Sequence, residues 1–146
     1  MLSEDKDEFR RGANTLPNGF HDAELRRFEM DYVQRKLRFD LYVWIGDMHN
    51  PPEAREIYRP GRVTVEKVAF LVIEPPDANC PWQEPGTITV DAGEGLPCQA
   101  SSILPEIPTG SQMTWMYMDA RNRYLLFAGG ETSLEWTGPE ENRRPD

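Results

Sequence analysis

The chain holds few of the residues that usually carry chemistry. Its 146 residues include only two histidines, His21 and His49, and two cysteines, Cys80 and Cys98. Both cysteines lie in Pro/Gly-rich sequence, with no CxxC pair and no adjacent histidine, so their spacing does not point to a zinc centre. A chain this long can bury roughly two thirds of its unfolded surface and has no need of a disulfide or metal staple. The segment Met1–Glu8 has no apolar h-region, so a signal peptide is not expected. Reduced thiols and a cytoplasmic location follow as expectations. The longest apolar run, Val68 to Ile73, is far too short for a membrane span. No glycine-rich phosphate loop is present either: Gly93-Glu94-Gly95 has an acidic residue at its centre and no helix is expected after it. A serine nucleophile elbow is also missing. No cofactor is therefore expected.

Positive charge is scarce as well. Sixteen basic residues stand against 25 acidic ones, for a net charge of -9. Such a field repels a phosphate backbone, so nucleic acid is not an expected partner. It attracts a cationic partner and speeds encounter with it. The plainer reading is that acidity keeps a small protein in solution.

What the chain has in quantity is alternation. Apolar residues make up 38%, enough for one ordered core with polar ends. Residues 1–14 and 138–146 read as tails around a single β domain over 15–137. Phe28, Met30 and Tyr32 alternate with Glu29 and Asp31. Leu37, Phe39, Leu41, Val43 and Ile45 alternate with charged or aromatic residues. A period of two marks half-buried strands. A tight turn at Gln34-Arg35 would pair Tyr32 with Leu37, Met30 with Phe39 and Phe28 with Leu41. The apolar phase flips before Phe28, and a β-bulge at Arg26-Arg27 restores it. Leu25 would then face Val43, and Ala23 would face Ile45.

Val63 to Ile73 reads as a central strand, apolar on both faces, with a bend at Glu66-Lys67. Thr87–Val90 is a short strand. Met113–Met118 and Arg123–Ala128 read as a hairpin, and Gly129-Gly130 turns the chain into Thr132–Trp136. Loops are expected over 46–60, 74–86 and 91–111, with a helical turn at Pro52–Glu56. The fold class is all-β: an antiparallel β-sandwich or partly open β-barrel of six to seven strands. Trp115, Tyr117, Trp136, Tyr42 and Trp44 form either an exposed aromatic face, or a second core or half-buried sheet face.

The bulged register also predicts a polar cluster. It carries His21 opposite Asp47, with His49 two residues further on the same face and Asp22 on the reverse side. His21, Asp22, Asp47 and His49 could serve as a hydrogen-bonded pin, a ligand site, or a general acid-base or metal group. Glu24 and Glu29 read as solvated strand surface.

The segment Gly19-Phe20-His21-Asp22-Ala23-Glu24-Leu25, the two strands after it and Val63–Ile73 carry a likeness. Together they resemble small bacterial β-rich proteins that open with a Phe-His-Asp-Ala segment. These include uncharacterised families and immunity proteins of polymorphic-toxin systems. The likeness spans about residues 16–75. It implies a non-enzymatic domain that binds and neutralises a toxin, with Phe20–Ala23 structural. Pro17-Asn18-Gly19 departs from the aromatic-Pro segment expected there. The leading expectation is a binding module that engages a basic protein partner through an acidic surface. The alternative is a small enzyme or metal-binding domain built on His21, Asp47 and His49. The oligomeric state is left open.

Overall fold

The computed structural model describes residues 20–75, 77–80, 88–94, 104–119 and 122–143. The expected tail 1–14 and Cys98 lie outside them. Nine strands follow in chain order: β1 (Ala23–Asp31), β2 (Lys36–Trp44), β3 (Ile57–Val65), β4 (Phe70–Ile73), β5 (Ile88–Glu94), β6 (Gln112–Met118), β7 (Arg123–Gly129), β8 (Thr132–Trp136) and β9 (Glu141–Asn142). A 3-10 turn over Pro52–Ala54 lies inside the stretch expected to hold one.

All pairings are antiparallel, in the order β4-β7-β6-β5-β1-β2-β3-β8, with β9 on β3. The end strands β4 and β8 continue β3 and β7 around short bends. Backbone bonds cross the bends: Ala69 N–H to Ala128 C=O at 2.7 Å, Glu66 N–H to Glu131 C=O at 2.7 Å and Gly130 N–H to Glu66 C=O at 2.8 Å. The sheet therefore curls until its ends meet at a corner, a partly open barrel in an all-β fold.

Nine strands replace the six to seven expected, for two reasons. The run Val63–Ile73 is split at the bend, where Lys67 takes a left-handed φ of 53°. Strand pairing also reaches into segments read as loop or tail. The expected loops 46–60 and 91–111 contain the start of β3 and the end of β5, and the tail 138–146 contains β9. Pairing on β3 orders that end, with Arg143 N–H donating to Glu56 C=O at 2.8 Å. β4 lies at the end of the strand order instead of its centre, although both of its faces pack. Leu71 touches the main core and Phe70 and Val72 a smaller cluster.

The first hairpin has its bulge at the predicted place, between Leu25 and Arg27, but its register is two residues away from the one expected. Phe28 faces Phe39 and Met30 faces Leu37. The cause is the turn. Asp31 Oδ1 accepts the N–H groups of Val33 (3.0 Å) and Gln34 (2.9 Å), and Arg35 has φ 55°. This Asx-type turn occupies Tyr32–Arg35, and pairing begins at Asp31 and Lys36. A shift of two keeps the paired side chains in their expected alternation, while Tyr32 leaves the ladder for the turn and is exposed.

The inward residues Leu37, Phe39, Leu41 and Val43 of β2 meet Val63 and Val65 of β3, and Leu125 and Phe127 of β7. The rings of Phe39 and Phe127 lie 5.3 Å apart and link the two halves of the curl. The five aromatic residues read as a candidate face are all half-buried and do not form one surface. Trp136 packs on the main core and Trp115 on the smaller cluster.

Candidate functional site

A turn at Phe20–Ala23 precedes β1. Ala23 N–H donates to Phe20 C=O at 3.1 Å, and Asp22 takes φ 56°. Phe20 and Ala23 are buried, which anchors the turn and leaves His21 outside. β1 is flanked by β2 on one side and β5 on the other, and Ala23 pairs with Val90. That pairing brings Asp91 of β5 beside the turn.

His21 lies between two carboxylates. Its Nδ1 is 2.7 Å from Asp91 Oδ1, and its Nε2 is 3.3 Å from Asp22 Oδ2. Its ring stands 6.4 Å from that of Trp44. The imidazole pKa is raised above 6.5, first by the hydrogen bond to Asp91; burial, the next largest influence, opposes this, and the charges of Asp91, Asp22 and Asp119 add to it. With a carboxylate at each ring nitrogen, both nitrogens are satisfied only as donors, which is the imidazolium state. His21 remains 59% exposed, so the arrangement is a surface feature rather than a closed catalytic pocket.

The expected partners of His21 are elsewhere. Extending the observed register places Ile45, not Asp47, opposite His21, and the turn takes His21 toward β5. Asp47 closes its own loop: its Oδ1 accepts His49 N–H at 2.8 Å, and its C=O accepts Asn50 N–H at 3.0 Å. His21 and Asp22 thus come together, while Asp47 and His49 form a separate local turn. Asp91 is the member that sequence reasoning missed, because that reasoning did not show which strand lies on the second edge of β1.

Further acidic groups lie near. Asp119 acts on both His21 and Tyr117 through its charge. Tyr117 O–H donates to Asn122 Oδ1 at 2.6 Å, and Asn122 Nδ2 donates to Asp77 Oδ2 at 2.9 Å. That bond, with a second from Asn79 N–H, holds Asp77 below the usual carboxylate range. Asp22, Asp91, Asp119 and Asp77 give the region around His21 an acidic character.

The fold defines the class as an open, curled, antiparallel all-β domain. No family model, curated protein or solved structure matches the chain. Among the described residues, no helix is long and apolar enough to cross a membrane.

Proposed function

We propose that the chain is a non-enzymatic binding module whose acidic end docks a basic protein partner, in the manner the Phe20–Ala23 likeness to immunity-type proteins implies. The observation that carries this reading is the half-buried pair Asp22 and Asp91 around the exposed His21, within the field of Asp119. Solvated carboxylates anchored on a turn and a strand suit a lysine- or arginine-bearing surface, and the net charge of -9 steers such a partner inward. The test is capture from the protein's own cells by wild type and by an Asp22→Asn/Asp91→Asn double variant. The expected result is a basic protein held at low salt, released as salt rises and absent from the variant. A partner retained equally by both forms, or no partner at any salt, ends the reading.

A second reading rests on a specific distance. One donor atom each from His21, Asp22 and Asp91 fits within 4.8 Å of the others, a spacing at which a divalent cation can bridge them. The grouping takes Asp91 in place of Asp47 and His49. Zinc titration above the His21 pKa, where the ring is neutral, tests it. Uptake by wild type that is lost in Asp91→Asn supports the cation; no uptake excludes it.

A further inference from the structure

Four arginines of this acidic chain gather on one face. On the outer side of β1–β3, Arg27, Asp40 and Arg62 form one cross-strand row, which Glu135 of β8 continues beyond Arg62 outside the cavity lining, and Glu29 and Arg38 form the next. The bulge between Leu25 and Arg27 adds Arg26 beside Arg27, and both are exposed. A bulge re-aims side chains in this way because two residues oppose one on the partner strand. An open cavity of about 420 Å³ lies over Arg26, Arg27, Asp40 and Arg62. A second, of about 290 Å³, shares Arg27, Asp40 and Arg62 and adds Glu29 and Arg38.

The ion pairs on this face do not use up its donors. Glu29 is shared by Arg27 Nη2 at 3.0 Å and Arg38 Nη1 at 3.1 Å. Asp40 takes Arg62 Nε at 2.8 Å. Arg26 has no carboxylate partner among the described residues; its Nη1 donates to Tyr42 Oη at 2.8 Å, and its guanidinium lies 5.0 Å from the Tyr42 ring. Four guanidinium groups therefore meet two carboxylates in the cavity walls. Each guanidinium carries five N–H donors, and each contact above engages one nitrogen. Adjacent strands are about 4.8 Å apart, so Arg27 and Arg62 stand roughly 10 Å apart across Asp40, within reach of one ligand between them.

We propose that this groove binds a small multivalent oxyanion, bearing phosphate or clustered carboxylate groups, between Arg26, Arg27 and Arg62. Guanidinium pairs such groups through charge-assisted, often bidentate hydrogen bonds. Size follows from charge. A small anion meets the local arginines, whereas a long polyanion also meets the field of a chain with net charge -9. The inference goes beyond the docking of a basic partner, and its variants leave Asp22 and Asp91 intact.

Calorimetric titration with pyrophosphate and with citrate, each against sodium chloride at matched ionic strength, tests it. Saturable one-to-one binding of either anion is expected. Pyrophosphate alone identifies a phosphate ligand, and binding of both identifies oxyanions in general. Arg27→Gln and Arg62→Gln should each weaken binding about tenfold, as expected for loss of a charge-assisted pair. Lys67→Gln, an exposed cation at the bend between β3 and β4, should leave it unchanged. Thermal midpoints of the variants confirm that they fold. No saturable heat from either anion, or an equal loss in Lys67→Gln, overturns the proposal.

Discussion

His21 is held by contacts that depend on its protonation. The bond to Asp91 favours the imidazolium and raises its pKa above 6.5. Its stabilising contribution is complete below about 6.5, the unfolded value, and is lost as pH rises through the higher native value. Because the ring is 59% exposed, solvent screening keeps this below about 1 kcal/mol. In an NMR titration, the His21 midpoint should lie above 6.5, and Asp91→Asn should lower it. An unchanged midpoint would mean that Asp91 does not set it. Gly129 makes a steric counterpart at the corner of the sheet. A methyl group there would lie 2.4 Å from Val65 Cγ1. Gly129→Ala should cost about 1–3 kcal/mol in denaturant unfolding, the usual penalty for overpacking.

Among the elements, β9 is the least regular and depends most on side chains. It pairs only Ile57↔Asn142 and Tyr58↔Glu141 with β3. Arg143 secures it from the other side. Its guanidinium bonds Glu24 and lies 4.4 Å from the Tyr42 ring and 4.5 Å from the Tyr58 ring. Arg143→Ala should release this end at a cost of about 1–2 kcal/mol, read as faster amide exchange at Tyr58 and Asn142. Unchanged exchange would show that the two backbone pairings suffice. The first hairpin was legible to within two residues, because alternation and the phase flip at Arg26-Arg27 report directly on side-chain faces. The turn length depends on the side chain of Asp31 capping Val33 and Gln34, and alternation is silent about that. The strands within 46–60 and 91–111 were not legible because Pro60, Gly61 and Gly93 interrupt the pattern. Packing at Gly61 is close: a methyl there would press on Leu134 Cδ1 at 3.1 Å and Trp136 Cε3 at 3.2 Å.

At the scale of the molecule, one ring contact joins the halves of the curl. Phe127 packs against Phe39 across the interior, 5.3 Å between centroids, and both are almost wholly buried. Phe127→Ala should cost about 3–5 kcal/mol and lower the denaturation midpoint without moving the register of the first hairpin. Charge is divided on the same scale. Carboxylates surround the Phe20–Ala23 turn and β5, while arginines cover the outer face of β1–β3. A net charge of -9 is an average that hides this division. The strand class, the faces of the first two strands and the bulge were set by the chain's own periodicity, because neighbouring side chains decide them locally. Which strand lies beside β1, and so which acid meets His21, was decided only in three dimensions. Pairing between Ala23 and Val90 joins strands separated in the chain by β2, β3 and β4, a link that no local pattern encodes. The arginine groove likewise exists only because separate alternating strands fold side by side.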